Sequence, residues 1–155
     1  MSWITKGENR SEVMAILPDL ASRFDCLYER LWQLPQIPAT TLELCRLRLA
    51  QLHGSEADWQ REEQPIAMAR RAALPRWPEA DAFTAAERTC LEFTETYAMD
   101  AQAITDEQAA AVVQHHGEDG LVALVEALGI LDGMTRLSLL WQLPTRADTQ
   151  GGITK

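Results

Sequence analysis

The chain has 155 residues, of which 46% are hydrophobic and 24% charged, and its formal net charge is −9. This length and composition predict one globular domain that buries roughly two-thirds of its unfolded surface. The negative charge argues against nucleic-acid binding, because phosphate contacts need clustered Lys and Arg. Here the basic side chains are scattered, and Arg70–Arg71 is the only adjacent pair.

No stretch of the sequence predicts secretion or membrane insertion. Residues 1–12 lack a cationic segment followed by an apolar run, so we expect no signal peptide. The most apolar stretch, residues 121–131, contains Glu126 and is bounded by Asp119 and Asp132. It is therefore too short and too charged to span a bilayer.

The three cysteines, Cys26, Cys45 and Cys90, are far apart and show neither metal-binding nor redox spacing. We expect them to be buried, reduced thiols. This pattern favours a cytoplasmic protein, and we predict no metal and no cofactor.

Helical periodicity explains the beginning of the chain. Residues 1–10 are expected to form a loose arm, in which Trp3 could act as an anchor. Apolar positions spaced by four, three and four residues then predict a helix over residues 19–33. These positions are Leu20, Phe24, Leu27 and Leu31.

The next predicted helix opens at Thr40, and Glu43 three residues later fits a T-x-x-E capping box. It has almost no polar face apart from Arg46 and Arg48. A helix that is apolar nearly all round is typically buried in the core or in a subunit contact. Gly54 can adopt the positive φ that ends such a helix.

Ser55 is expected to open another helix, with Asp58 completing an S-x-x-D cap. Pro65 interrupts this helix, and residues 66–74 could form a short one.

Two further capping boxes predict the later helices. Thr84 with Glu87 opens a helix through about Met99, and Thr105 with Gln108 opens one that stops near Gly117. A last helix is expected over residues 119–141, followed by a loose tail at 145–155. No segment alternates with period two, so the prediction is a single all-α domain, residues 1–155, with about six to seven helices and a core at about 12–142.

One stretch carries a specific motif. It contains Leu42, Glu43, Leu44, Leu47, Arg48, Ala50, Gln51 and Gly54 in the order L-E-L-x-x-L-R-x-A-Q-x-x-G. This stretch resembles the signature of the carboxymuconolactone decarboxylase-like, alkylhydroperoxidase D-like family, in which C-x-x-C-x-x-x-H follows. The segments around Trp77 and Arg136 are also similar to that family. The resemblance implies an alkylhydroperoxidase D-like helical bundle that assembles as a homo-oligomer, either dimer, trimer or hexamer.

The reactive half of the family motif is substituted. The resemblance places Glu43 at the family's glutamate, Ser55 and Asp58 at its two cysteines, and Glu62 at its histidine. In the family the cysteines cycle between dithiol and disulfide while the other two groups relay protons. A serine oxygen cannot pass through the sulfenic acid and disulfide states of sulfur. We therefore expect no thiol peroxidase activity.

Four alternatives for this site stay open. Ser55, Asp58 and Glu62 would lie within about 60° of one helix face, and family packing would bring Glu43 to the same pocket. Clustered carboxylates could perform acid–base chemistry on a small molecule, or they could bind a divalent cation. Alternatively, Ser55 and Asp58 cap one helix, Glu43 caps another, and Glu62 is solvated. The protein would then be a binding protein or a structural oligomer. A peroxidase-type or decarboxylase-type enzyme is the alternative that the family implies.

The histidines do not predict a catalytic site. His53 lies two residues from Ser55, and neighbours on one turn rarely reach the mutual geometry of a Ser-His-Asp triad. His115 and His116 are expected to be solvated residues near a helix C-terminus. The tryptophans, five in number, could line a ligand pocket, but we favour a role in sealing the core and a subunit contact.

Overall fold

The computed structural model describes residues 3–143. Within this range the chain contains helices and no strand, which confirms the predicted all-α class. None of the described helices is long and apolar enough to cross a membrane. The helices are α1 Arg10–Met14, α2 Pro18–Leu31, α3 Ala39–His53, α4 Glu56–Gln60, α5 Met68–Ala73, α6 Ala85–Met99 and α7 Asp106–Trp141, with short 3-10 turns at Leu74–Arg76 and Ala101–Ala103. The tail at 145–155 lies outside the described residues.

Helix α3 lies at the centre, and it packs against α6 and α7, which also pack against each other. Its buried side chains point in all directions, as the sequence predicted for this helix. One group of them joins α6 and α7 in a core that includes Leu42, Leu124 and Leu128, and another packs around Leu74 and Trp77. Each fully buried leucine contributes about 1.5–3 kcal/mol to folding. The motif helix is therefore held rigidly.

Two of the predicted capping boxes are confirmed. The hydroxyl of Thr84 accepts a hydrogen bond from the backbone N–H of Glu87, and the Glu87 carboxylate accepts one from the N–H of Thr84 at 2.8 Å. Thr105 and Gln108 form the same reciprocal pair at the start of α7. These boxes fix where α6 and α7 begin.

The capping box at Thr40 is wrong. Helix α3 begins one residue earlier, at Ala39, after Pro38 in extended conformation, and no side chain caps it. The Glu43 side chain instead pairs with Arg46, because both lie in the buried part of the helix where a charge needs a partner.

The N-terminal segment is more ordered than predicted. Asn9 caps α1 by accepting a hydrogen bond from the N–H of Glu12 at 3.1 Å, and Arg10 is buried although it was placed in a loose arm. Trp3, at 76% exposure, is not the expected anchor. The predicted stripe of α2 is only partly covered by the chain: Leu31 is buried, whereas Leu20 and Leu27 are exposed.

Helix α7 consists of two helical segments that meet at Gly117. The residue has φ 73° and ψ 174°, a conformation that essentially only glycine adopts without strain. This confirms that one helix stops near Gly117 and that another follows it to Trp141.

Candidate functional site

The turn between α3 and α4 positions the motif residues. Gly54 ends α3 with φ +67°, in the left-handed region that favours glycine. The N–H of Ser55 then donates to the carbonyl of Ala50 at 2.8 Å, which closes the turn. Ser55 thereby becomes the N-cap of α4, as predicted, and α4 packs against α3.

Glu43 and Arg46 form a buried ion pair one turn apart on α3. Arg46 donates two hydrogen bonds to the carboxylate, from Nε at 2.8 Å and from a terminal nitrogen at 2.7 Å. The remaining donors of Arg46 reach the carbonyl oxygens of Asp58 and Arg61, both at 2.8 Å. Glu43 is 0% exposed, and the N–H of Glu63 adds a third hydrogen bond at 3.2 Å. Its carboxylate is therefore fully engaged.

Ser55 and Asp58 bond to each other at the start of α4. The Ser55 hydroxyl donates to the Asp58 carboxylate at 2.6 Å, and it accepts from the N–H of Asp58 at 3.4 Å. Both residues are buried. Asp58 also faces the guanidinium of Arg10 at 3.8 Å. The positions that the resemblance assigns to two sulfurs are thus filled by a hydrogen-bonded, charge-compensated oxygen pair.

Glu62 is not part of the site, contrary to the prediction that it shares a helix face with Ser55 and Asp58. Helix α4 ends at Gln60, so Glu62 lies beyond it and is exposed. The physical reason is that Arg46 binds the carbonyl of Arg61, and the backbone there leaves the helical conformation.

Glu63 takes a place in the network that sequence reasoning missed. One of its carboxylate oxygens accepts hydrogen bonds from Arg10 at 3.2 Å, from Arg61 at 2.7 Å and from the hydroxyl of Tyr28 at 3.1 Å. The guanidinium of Arg10 also lies 5.0 Å from the centroid of the Tyr28 ring. Arg10 belongs to α1 and Tyr28 to α2, and the large sequence separation of these two partners from Glu63 gives no local signal.

The network is balanced in charge, with Glu43, Asp58 and Glu63 set against three arginines. Burial alone would raise the pKa of Glu63, but hydrogen bonds and charges from the arginines outweigh it and lower that pKa below the ordinary value. Burial likewise opposes the charge of Arg46, yet the hydrogen bonds and charge of Glu43 raise the Arg46 pKa. Burial raises the pKa of Tyr28. These shifts favour the charged forms of Glu63 and Arg46 and the protonated phenol of Tyr28.

Comparison with solved structures decides the fold. The chain aligns with a cysteine-to-alanine variant of the debrominase Bmp8 in complex with 2,3,4-tribromopyrrole, at a TM-score of 0.78 and 15% identity, over 91% of this chain and 78% of that chain. It also aligns with ATU0492 from Agrobacterium tumefaciens, a protein of unknown function described as a candidate antioxidant defence protein AhpD, at a TM-score of 0.73 and 14% identity, over 94% and 98% of the two chains. The chain has the alkylhydroperoxidase D-like fold. Its sequence matches no protein-family model and no curated protein.

Within this alkylhydroperoxidase D-like fold, three of the four predicted site residues come together. Arg46 links Glu43 to the backbone of Asp58, and Ser55 bonds to the Asp58 side chain. Glu62 remains apart. Arg46 was detectable in principle, because a charge on a helix that is buried all round needs a nearby partner, and Glu43 lies three residues away.

No cysteine of the described fold lies in the α3–α4 turn that holds Ser55 or in α4, which holds Asp58. Burial raises the pKa of Cys45 to about 12 and raises that of Cys90 as well, so both thiols are held protonated in the core. Cys26 is exposed on α2, which corrects the expectation that all three thiols are buried. No disulfide joins these cysteines.

His53 pairs with Asp132 of α7 and not with Ser55. Its Nε2 lies 2.5 Å from the carboxylate of Asp132, which also accepts a hydrogen bond from Arg136 at 2.8 Å. Since the Ser55 hydroxyl bonds to Asp58, these residues do not form a catalytic triad. The histidine instead ties the C-terminal end of α3 to α7.

An open cleft of about 320 Å³ lies beside the α3–α4 turn. Glu43, at 0% exposure, does not line it, so this cleft is not shared by all four motif residues. Among residues 3–143, no group of three or more His, Cys, Asp or Glu is placed to hold a metal ion, which gives the cation alternative no support. The lining residues are Ala50, Gln51, Gly54, Ser55, Glu56 and Trp59.

Proposed function

We propose that this protein is a non-redox relative of the alkylhydroperoxidase D-like proteins that binds a small molecule in the cleft at the α3–α4 turn. The observation that carries the proposal is the 2.6 Å hydrogen bond between Ser55 and Asp58, which occupies the positions of the redox pair with oxygen atoms. Three free cysteines support a reducing, cytoplasmic location as part of the same proposal.

The state of the thiols supports the absence of peroxidase chemistry. The nucleophile toward a hydroperoxide is a thiolate, which needs solvent access and a low pKa. Cys45 and Cys90 have neither, because both are buried and their pKa values are raised. Cys26 is accessible but lies on α2, and it has no second exposed cysteine in the described residues to resolve a sulfenic acid.

The arginines favour binding over acid–base catalysis. A catalytic carboxylate has to exchange a proton with a substrate within hydrogen-bond reach. Both oxygens of Glu43 accept hydrogen bonds from Arg46, and the side chain is sealed from solvent. Asp58 is buried between the Ser55 hydroxyl and the guanidinium of Arg10. These groups are therefore better suited to hold the residues behind the cleft rigidly than to exchange protons with a substrate.

The cleft fits a flat, weakly polar molecule. Trp59 provides an aromatic surface, and the guanidinium of Arg71 lies 4.4 Å from the centroid of its ring, which helps to fix the ring in place. Ala50 and Gly54 leave space beside it, and Gln51 offers an amide for a hydrogen bond. Bmp8, which shares the fold, is described in complex with a halogenated pyrrole. We therefore propose small aromatic heterocycles as the ligand class.

Two measurements test the proposal. Purified protein is first assayed with hydrogen peroxide or an organic hydroperoxide and dithiothreitol, and we expect no turnover above the buffer rate. Binding of pyrrole and indole fragments is then followed by saturation-transfer NMR, and we expect a signal that Trp59→Ala abolishes and that Trp3→Ala, a control at an exposed tryptophan, retains. Peroxide turnover that iodoacetamide abolishes would overturn the non-redox assignment. Fragment binding that is unchanged in Trp59→Ala would overturn the cleft.

A further inference from the structure

We infer that Gln51 determines the specificity of the cleft at the α3–α4 turn by presenting a fixed N–H donor, which selects aromatic heterocycles with a hydrogen-bond acceptor in the ring. The acceptor is a pyridine-type nitrogen or a ring carbonyl. This role rests on the proposed function, because it specifies the ligand class of the same cleft. Arg48, three residues earlier in the motif stretch, fixes the direction of the donor.

The contact between Arg48 and Gln51 fixes which end of the amide is left for other partners. A terminal nitrogen of Arg48 donates to Oε1 of Gln51 at 3.0 Å. An arginine has donors only, whereas the two ends of an amide are an acceptor and a donor. Turning the amide over would set its NH2 group against the guanidinium and lose this hydrogen bond. The oxygen of Gln51 therefore stays on Arg48, and the nitrogen is left for a ligand.

Arg48 is itself held in place by Glu95 of α6. Its Nε and its other terminal nitrogen both lie 2.7 Å from Oε1 of Glu95. The indole N–H of buried Trp77 donates to the same oxygen at 2.8 Å. The guanidinium therefore cannot follow the amide if Gln51 turns. A donor that is held in advance loses less conformational entropy when a ligand binds.

The amide nitrogen of Gln51 is accessible in the cleft. Gln51 lines the cleft, and among residues 3–143 no acceptor takes a hydrogen bond from its NH2 group. This nitrogen is not one of the polar atoms that are sealed without a partner. The nearby Ser55 hydroxyl offers no competing donor, because it already donates to Asp58. A ring that stacks on Trp59 therefore gains a hydrogen bond from Gln51 if its edge carries an acceptor, and gains none if it carries only an N–H.

Indole and benzimidazole test this preference, because they differ by one ring CH that is exchanged for a nitrogen acceptor. Their dissociation constants are measured by NMR titration at a pH where benzimidazole is neutral. We expect the ratio of the indole constant to the benzimidazole constant to fall by about two- to tenfold in Gln51→Met, which is the effect of one net hydrogen bond. Comparing this ratio between proteins removes the different hydration of the two probes. Gln33→Met makes the same change at an exposed position just after α2 and is expected to leave the ratio unchanged.

Arg48→Met tests the positioning of the donor separately from the donor itself. The amide of Gln51 remains, but it can now turn its oxygen toward the N–H of indole. We therefore expect the ratio to fall in this variant too, through tighter binding of indole relative to benzimidazole. Far-UV circular dichroism checks that each variant keeps its helices, and Gln51→Met decides by itself should Arg48→Met fail to fold.

The outcomes separate the role of Gln51 from the proposed function. If both probes bind in a Trp59-dependent way but with the same ratio in wild type and Gln51→Met, the role of Gln51 is overturned and the cleft is retained. An unchanged ratio in Arg48→Met would show that the donor is not fixed, contrary to the inference. If neither probe binds, or if both bind unchanged in Trp59→Ala, the proposed function and the role of Gln51 fail together.

Discussion

Replacing Arg46 with methionine tests how much the buried ion network contributes to the stability of the fold. Methionine fills similar space with a flexible apolar chain, but it has no charge and no N–H donors. The change leaves Glu43, at 0% exposure, without its two hydrogen bonds from Arg46. It also removes the donors that reach the carbonyl oxygens of Asp58 and Arg61.

The expected loss follows from these contacts. Removing one partner of a buried ion pair destabilises a protein by about 3–5 kcal/mol, and each buried acceptor that loses its donor adds about 1–3 kcal/mol. Since such terms are not additive, we expect a loss of at least about 4 kcal/mol. This loss is a large part of the total stability of such a domain, which is about 5–15 kcal/mol. The midpoint of thermal unfolding should therefore fall by at least about 8 °C.

The assays are urea unfolding and thermal melts, both followed by tryptophan fluorescence and circular dichroism, with two comparison variants. Arg23→Met breaks an exposed pair with Asp19 and should change stability by less than about 0.5 kcal/mol. The double variant Glu43→Gln with Arg46→Met removes both buried charges and should be more stable than Arg46→Met alone. If Arg46→Met costs no more than Arg23→Met, or if the double variant is no more stable than Arg46→Met alone, the argument from charge burial is refuted.

Three further predictions concern separate features. A thiol reagent should label one cysteine, Cys26, in the native protein and three in urea, as counted by mass spectrometry; labelling of a second native thiol would contradict the burial of the others. The pKa of Glu63 is lowered in the fold, so its pairing stabilises the protein above the unfolded pKa and is lost as the pH falls through the folded value. Glu63→Gln should therefore be less stable than wild type at pH 7, with the difference vanishing in acid, whereas exposed Glu62→Gln should show no such difference in pH titrations of urea midpoints. Gly117→Ala should destabilise by about 1–3 kcal/mol because of its φ of +73°, whereas Gly133→Ala, at an open helical position, should stabilise by up to about 1 kcal/mol in thermal melts; equal effects would contradict the conformational argument.

The fold was predictable because its signals are local. The hydrophobic run around Leu44 and Leu47 predicted a helix buried all round, and these residues are fully buried. Thr84 and Thr105 were predictable as caps because each has a Glu or Gln three residues later in a segment that begins a helix. Such short-range patterns determine where helices start, so they can be read without the tertiary structure.

The site was predictable only in part, because its contacts are long-range. The three-residue spacing from Thr40 to Glu43 suits a cap, but Arg46 lies at the same spacing beyond Glu43, and burial decided in favour of the ion pair. Arg10 reaches Glu63 across 53 residues, and no local pattern predicts that contact. Tertiary packing therefore supplied the half of the network that the sequence could not reveal.

The buried ion pair between Arg46 and Glu43 constrains how this protein could gain or lose redox chemistry. Grafting a dithiol onto the fold, with Ser55→Cys and Asp58→Cys, would leave the neighbouring glutamate occupied and unable to accept a proton from an incoming thiol. It would also remove one of the acidic partners of Arg10, so that the buried charge of this arginine would be less well compensated. Arg10 would favour a thiolate at position 58, because a nearby cation lowers the pKa of a thiol. The obstacle is therefore Arg46, which would have to be replaced before Glu43 could accept a proton.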